Sequence, residues 1–401
     1  MSPTPTRLTP LLFLIMFAIG TDTFLISPLL PELQAQFHVP TERAGWMVGA
    51  YTLGAAGFAL IAGPLSDGMN RKRVLLAGLA GFAVSTALCG LASDFWTMCL
   101  FRFLAGVSAA FTTPQVWAAI PSLYPQDRVP RMMGVAYAGL AASQAFGVPI
   151  GSGLAQVRWP LSFFAIGLFS LLLAVCVQLF VPDMKPRIAA EARRSPLRRY
   201  VPLLTSAKAR GGFLGYFFIH LGSNAAFAFL GKWLTVRFGL SVGQTGYVII
   251  GLGLGNLLGS LLSGAAARRL GPVRTTAFAL LFLAALYVAL PHAPSAWAVG
   301  AAYLILFTAL GILFPLVVAM LNALNASIRG TISSLATSTM NAATTVGAWA
   351  GGYLFAQAGG YGAIGLFSAA CMLASLATLI CSGMLRSEAE PAPGSRREEA
   401  V

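Results

Sequence analysis

Long apolar segments recur along the chain, and each is long enough to cross a lipid bilayer as a helix. A spanning helix needs about 20 mostly apolar residues, because it rises about 1.5 Å per residue through a hydrocarbon core about 30 Å thick. Twelve such segments are present, so we predict an all-α polytopic membrane protein with twelve transmembrane helices. The segments lie near residues 8–30, 44–66, 74–92, 96–120, 132–155, 161–181, 211–233, 244–266, 275–291, 297–321, 331–357 and 362–385.

Charged residues are too scarce to cover a soluble surface. They make up 9% of the 401 residues, against 57% hydrophobic residues, whereas a soluble domain carries about 25% charged residues. This composition excludes a soluble enzyme and a disordered chain. The first segment is interpreted as a membrane helix, since it is too long for the core of a signal peptide and contains Asp22.

The basic residues are distributed unevenly between the two sets of loops. An even number of spans places both termini on one side. Of the 26 Lys and Arg residues, Arg43, Arg158, Lys232 and Arg237 then fall on the other side, Arg102 falls within a span, and the rest share the side of the termini. Cytoplasmic loops are rich in Lys and Arg, so we predict a bacterial inner-membrane protein with cytoplasmic termini. The same bias explains the net charge of +14 without nucleic acid as a partner.

The longest polar stretch divides the twelve segments into six and six. We predict an N-terminal half at 1–181, a basic cytoplasmic linker at 182–210, a C-terminal half at 211–385 and a disordered cytoplasmic tail at 386–401. The stretch from Gly63 to Arg73, after the second segment, has a loose counterpart from Gly264 to Arg274, after the eighth. This repeat predicts two parallel halves related by an axis along the membrane normal.

Three short motifs occur in the N-terminal half. GPLSDGMNRKR follows the second segment, RFLAGVSAA lies in the fourth, and FGVPIGSG lies in the fifth, with RWPLSF after it. The order and placement of these motifs resemble the major facilitator superfamily, in particular its twelve-helix drug:proton antiporter and sugar-efflux branch. The matching residues are Gly63, Leu65, Asp67, Arg71, Lys72, Arg102, Gly106, Gly147, Pro149, Gly151 and Gly153. The departures from the pattern are Gly68, Asn70, Val148 and Pro160.

The resemblance implies a monomeric secondary transporter that needs no cofactor and binds a small molecule in a cavity between two rocking halves. Its fifth-segment motif implies proton-driven export, so we predict an antiporter for drugs or metabolites that contributes to drug resistance. An importer of a sugar or organic acid on the same fold is the alternative. An intramembrane enzyme is a remote alternative, because the sequence has no phosphate-binding loop, metal-ligand cluster or nucleophile motif.

Asp22 and Arg102 are the two charged residues deep within the predicted spans. A charge at bilayer depth costs roughly 2.5–3.5 kcal/mol, so such residues usually face a cavity or each other. The two lie about 12 Å and about 9 Å below the outer face at the helical rise, and the resemblance implies that their helices both line the cavity. We predict that Asp22 carries the proton and that Arg102 is its partner. The alternative is a static ion pair, or an Asp22 hydrogen-bonded to Thr23 and Ser27.

Neutral polar side chains within the spans are candidates for the substrate cavity. His220 lies about 14 Å deep in the seventh segment, and Asn224 follows one turn later on the same face. Both could contact substrate, and His220 could be a second proton site; hydrogen bonding between helices is the alternative. The weaker cavity candidates are Gln115, Gln144, Asn256 and Asn341.

The loop after the second segment places Asp67 ahead of Arg71, Lys72 and Arg73, with Gly63 at the helix end. A carboxylate near a helix C-terminus is disfavoured by the macrodipole by up to about 1 kcal/mol, so another group must hold it. The resemblance implies a cytoplasmic gate in which Asp67 caps a neighbouring helix and pairs with an Arg, closing the inner side while the cavity faces outward. A solvated acid that offsets the basic residues is the alternative.

Overall fold

Helices form the architecture throughout the described chain. The computed structural model describes residues 8–66, 69–125, 128–184, 200–325 and 329–385. No strand occurs within these ranges. The long helices are α1 Leu8–Phe37, α2 Trp46–Ser66, α3 Arg71–Cys89, α4 Phe95–Leu123, α5 Val129–Ala142 with Val148–Val157, α6 Trp159–Phe180, α7 Ala207–Ala228 with Leu230–Phe238, α8 Val242–Leu270, α9 Pro272–Ala289, α10 Ala296–Ala323, α11 Arg329–Gln357 and α12 Tyr361–Cys381.

Each of the twelve predicted segments corresponds to one of these helices. In the described residues, eleven of the helices combine the length and the hydropathy needed to cross a membrane. The remaining one, α11, is 29 residues long but rich in Ser, Thr and Asn, and its hydropathy falls short. Its length suffices for a span, so its polar side chains need partners within the protein or in a cavity.

Two helices extend further than the apolar pattern indicates. α1 continues through Pro28 and Pro31 to Phe37, although the apolar segment ends near residue 30. α7 begins at Ala207, within the range predicted as linker, because the Ser206 side chain caps its first turn. Hydropathy marks the part of a helix that lies in lipid, while capping groups set where the helix ends. Residues 185–199 of the predicted linker and the predicted tail at 386–401 lie outside the described residues.

The start of α4 is fixed by a capping box. The Asp94 carboxylate accepts hydrogen bonds from the backbone N–H groups of Trp96 and Thr97 at 2.8 Å and 3.0 Å, and the Thr97 hydroxyl accepts one from the Asp94 backbone N–H at 3.2 Å. The backbone N–H groups of Thr97 and Trp96 hold the pKa of Asp94 below its usual value. The carboxylate therefore stays ionised at the positive end of the helix, and it anchors the helix that carries Arg102.

The fifth predicted segment is interrupted by a wider turn. Residues Ser143–Gly147 form one π-helical turn between the two parts of α5, just before Pro149, which has no N–H to donate to the preceding turn. A Cβ on Gly147 would overlap the Thr21 side chain, and one on Gly151 would lie 2.7 Å from Leu25. The glycines of this motif therefore allow α5 to pack closely against α1.

Two further glycines bring α2 and α4 into backbone contact. A Cβ on Gly54 would overlap the carbonyl oxygen of Phe103, and a Cβ on Gly106 would overlap the carbonyl oxygen of Tyr51. Small residues at such crossings let helices in lipid approach closely. The contact places the α2 backbone and Tyr51 beside the Arg102 side chain.

Replacing Gly106 by Ala should therefore destabilise the protein. The new methyl group would meet a backbone carbonyl that cannot rotate away, and overpacking of this kind costs about 1–3 kcal/mol. The melting temperature of the detergent-purified protein should fall by several degrees. Gly153→Ala in α5 is the matched control, because a Cβ there meets nothing within 4 Å. Equal melting temperatures for the two variants would contradict the close α2–α4 contact.

Candidate translocation pathway

The structure brings Asp22 of α1 and Arg102 of α4 together. Arg102 Nη1 donates to Asp22 Oδ2 at 2.6 Å, and both side chains are 0% exposed. The predicted similarity in depth therefore corresponds to direct contact. An ion pair so fully removed from solvent retains its charges only because each neutralises the other.

The α2 backbone and one aromatic ring hold the guanidinium from the other side. Arg102 Nε donates to the carbonyl oxygen of Met47 at 3.3 Å, and the guanidinium carbon lies 4.5 Å from the centre of the Tyr51 ring. The Tyr51 hydroxyl in turn accepts a hydrogen bond from Thr23 at 3.2 Å. Sequence reasoning missed Met47 and Tyr51, which stand in an apolar run with no signal that sets them apart.

The ion pair is not saturated with hydrogen bonds. Asp22 Oδ1 and Arg102 Nη2 are buried and make no hydrogen bond with the described residues. The Thr86 hydroxyl lies near the carboxylate but also makes no hydrogen bond. A bidentate pair would have used both atoms, so the arrangement leaves one donor and one acceptor free to form a second set of contacts.

His220 in α7 is packed between two aromatic rings. Its ring stacks on Phe314 of α10 with 4.5 Å between the centroids and 3° between the planes, and the Tyr216 ring meets it edge-on at 4.5 Å. It is 5% exposed, and Nε2 has no hydrogen-bond partner among the described residues. These contacts give the residue a packing role between α7 and α10.

The other cavity candidates differ in burial and in hydrogen-bond partners. Asn224 and Asn341 are partly exposed, and each amide donates to the carbonyl four residues back in its own helix, at 2.9 Å and 3.0 Å. Gln144, in the π-helical turn of α5, accepts from Asn256 of α8 at 3.1 Å, so this pair joins the two halves. Gln115 is buried in α4.

The predicted cytoplasmic gate is only partly described. Asp67 lies outside the described residues, so its pairing stays a prediction, while Gly63 lies in the last turn of α2. The Lys72 ammonium donates to the carbonyl oxygen of Gln178 at 2.9 Å. Asn70, a departure from the family pattern, caps α3 by accepting from the Lys72 backbone N–H at 3.0 Å. Arg71 and Arg73 begin the same helix.

Polar contacts join the two halves near one end of the bundle. This end carries Phe37, Asp94 and Ser241, and it is predicted to be the outer end. We name these contacts the outer seam. The Lys232 ammonium of α7 donates to Gln34 Oε1 and Thr41 Oγ1, both at 2.6 Å. The other pairs are Gln357 to Glu42 at 2.8 Å, Gln156 to Ser241 at 2.8 Å, Thr52 with Thr345 at 2.8 Å, and Ser27 to the carbonyl oxygen of Phe227 at 2.5 Å.

Hydrogen bonds between described residues of the two halves occur from mid-bundle to the predicted outer end. The innermost are the Gln144–Asn256 pair and the bond from the Ser338 hydroxyl to the carbonyl oxygen of Ala56 at 2.8 Å. A cavity of about 730 Å³ lies at the outer end, lined in part by Glu32 and Arg158. In this structure the halves are therefore closed together at the predicted outer end.

A bundle of long apolar helices in two closely packed halves, with a buried ion pair between its helices, is the architecture of a multi-pass membrane protein. The profile of the Major Facilitator Superfamily matches residues 12–324 and 212–400, and the chain belongs to this family. Members of this family are membrane transporters that bind small-molecule substrates, and this chain is a transporter of that family.

Three similar proteins illustrate the relationship. The MFS-type transporter YceJ of Bacillus subtilis is 46% identical over 366 residues, which cover 91% of this chain and 94% of YceJ. Multidrug resistance protein 1 of the same organism is 31% identical over 164 residues, or 41% of each chain. A crystal structure of a bacterial homologue of the human lysosomal transporter Spinster, inward-facing and unoccupied, has a TM-score of 0.69 at 17% identity and covers 96% of each chain. This last likeness shows the fold alone.

Proposed function

We propose that this chain is a proton-coupled exporter of drugs or metabolites that works by alternating access. It acts as a monomer in the inner membrane of a bacterium, with both termini in the cytoplasm. The observation that carries the proposal is the buried ion pair between Asp22 and Arg102. Asp22 is the one carboxylate held deep within the described helices. Charges at this depth are expensive and mark ion or proton pathways. Export, rather than import, is supported by the fifth-segment motif and by the relative named as a multidrug resistance protein.

Protonation of Asp22 would release Arg102 towards α2. A neutral carboxyl group loses most of its attraction for the guanidinium, whereas the Met47 carbonyl and the Tyr51 ring keep theirs. The unused Arg102 Nη2 and Asp22 Oδ1 mean that only a single hydrogen bond between the two charges has to break. The pair can therefore exchange partners without leaving a buried guanidinium isolated, which would be strongly destabilising.

Helix α1 connects the proton site to the outer seam. Ser27 and Gln34 lie about 7.5 Å and about 18 Å further along the same helix than Asp22, at about 1.5 Å per residue, and both bond to the C-terminal half. Any shift of α1 relative to α4 acts on those bonds. In the structure the ion pair is intact and the outer end is closed. This combination fits the step of the transport cycle at which Asp22 has lost its proton and cargo can bind from the cytoplasmic side.

Direction and coupling can be tested in everted membrane vesicles. A compound against which expression of the chain protects cells should accumulate in the lumen when the lumen is acid, and protons should leave at the same time. Collapse of the pH gradient and of the membrane potential with a protonophore should abolish the accumulation, because the two together drive proton movement. Accumulation that survives the protonophore would contradict proton coupling, and movement of the compound out of the lumen would identify an importer.

A further inference from the structure

The polar helix α11 has four distinct faces. Val346, Trp349 and Tyr353 are 42%, 50% and 55% exposed and form the face towards lipid. On another face, a Cβ on Gly347 would lie 2.6 Å from the Leu221 carbonyl oxygen, so this side packs on α7. A third face packs on α2 through Thr345, whose hydroxyl pairs with Thr52 at 2.8 Å.

The fourth face carries Thr337, Asn341 and Thr344, which we name the polar row. At 100° per residue, spacings of four and three residues keep these side chains together. The row lies between the α2 face and the α7 face and points away from lipid. Each side chain donates to a carbonyl in its own helix, at 3.0, 3.0 and 2.9 Å, so each still has oxygen lone pairs with which to accept hydrogen bonds. A row of this kind needs a polar neighbour in a membrane protein.

Asn224 of α7 lies near α11, where the two halves meet. Three residues later on the helix, Phe227 meets Phe24 of α1, with 5.6 Å between the ring centroids. Three residues earlier, Leu221 meets α11 at Gly347. Asn224 is thus directed between α1 and α11, and it is partly exposed. The polar row and Asn224 thus both face the junction between the two halves, with Asn224 about 9 Å further along the bundle than Thr344 at the helical rise.

No free charge faces this space in the described helices. Asp22 and Arg102 neutralise each other and are both 0% exposed, and Lys232 is held in the outer seam by Gln34 and Thr41. The remaining charged side chains of the described helices stand at or near helix ends. A charged cargo would therefore lose its hydration without gaining a counter-ion, which is costly. An uncharged cargo with hydroxyl or amide groups would find matching donors and acceptors.

We propose that the cargo is an uncharged molecule rich in hydrogen-bonding groups, and that the polar row and Asn224 form its binding site. The proposal rests on the transport function proposed above, but not on its proton coupling. With one proton per cycle, an uncharged cargo makes each cycle carry net charge across the membrane. Transport would then respond to membrane potential as well as to the pH gradient.

A growth assay with three sets of toxic compounds tests the cargo class. Cells that lack their own exporters and express the chain should be protected against uncharged nucleoside analogues, and not against quaternary ammonium salts or carboxylates. Thr337→Ala and Asn341→Ala should each weaken protection about 2–10-fold, the value of one hydrogen bond. The matched control is Thr308→Ala in α10, which removes the same kind of intrahelical bond at 2.8 Å on another helix. Protection confined to the charged sets, or equal protection by Thr337→Ala and Thr308→Ala, would overturn the proposal.

A labelling experiment tests the site without any cargo. Single cysteines are placed at 337, 341 and 349 in a chain whose native cysteines are replaced, and everted vesicles are treated with a membrane-impermeant maleimide. The cysteines at 337 and 341 should react and the one at 349, on the lipid face, should not. Lack of reaction at both 337 and 341 would contradict the site even if export is proton-driven. An Asp22→Asn variant that still exports would instead contradict the coupling and leave this site standing.

Discussion

Replacing Asp22 by Asn is expected to reduce transport driven by a pH gradient to background while cargo binding and exchange survive. Asn has nearly the shape of Asp and can still accept the Arg102 hydrogen bond, which is 2.6 Å long in the structure, but it cannot carry a proton. Counterflow of a labelled compound across the membrane of vesicles that have the same pH inside and outside should continue. That exchange needs the conformational change but no net proton movement. The two measurements together separate loss of coupling from loss of folding.

Two further variants make this test specific. Glu32→Gln removes an exposed carboxylate from the same helix, and it should transport normally. Arg102→Ala leaves Asp22 buried without a counter-charge, and breaking a buried pair in this way costs about 3–5 kcal/mol. It should lower both the melting temperature and the flux. Gradient-driven transport at the normal rate by Asp22→Asn would show that the pair is a static connection between α1 and α4.

The sequence predicted the helices, because backbone groups in lipid must be satisfied within each span. The contact of Asp22 with Arg102 was predicted from their similar depths together with the family resemblance, since an isolated charge in lipid is expelled or paired. The partners of Arg102 on α2 could not be predicted in the same way. Met47 acts through its backbone carbonyl, which every residue possesses, and Tyr51 depends on the backbone approach that Gly106 permits.

The outer seam also lay beyond prediction from the sequence. The sequence marks Lys232 only as one of the few basic residues on the predicted outer side. Its hydrogen-bond partners Gln34 and Thr41 are almost 200 residues away along the chain. Such pairs depend on how the two halves meet, and that arrangement changes during the transport cycle. A hydropathy pattern records only the depth of a residue in the membrane, whatever the conformation of the protein.

Replacing Lys232 by Met is expected to shift the resting population towards the outward-open form. Met keeps an apolar stem but removes the two hydrogen bonds that join α7 to Gln34 and Thr41. Hydrogen bonds to charged groups contribute about 1.5–3 kcal/mol each, less at this half-buried site, where solvent screens the charge. A loss of about 1.4 kcal/mol already multiplies the open population tenfold, so the outward-open form should become at least about ten times more populated.

Spin labels at 96 and 236 can measure this shift, since both positions are exposed near the predicted outer end, one in each half. The distance distribution of Lys232→Met should gain a longer component. The control is Arg237→Met in the same helix segment, because Arg237 donates only at 3.5 Å to the Ala293 carbonyl within its own half, and its distances should not change. Turnover should fall in Lys232→Met, since the cycle must close the outer end each time. Unchanged distances with normal turnover in that variant would mean that Lys232 neutralises surface charge without holding the halves together.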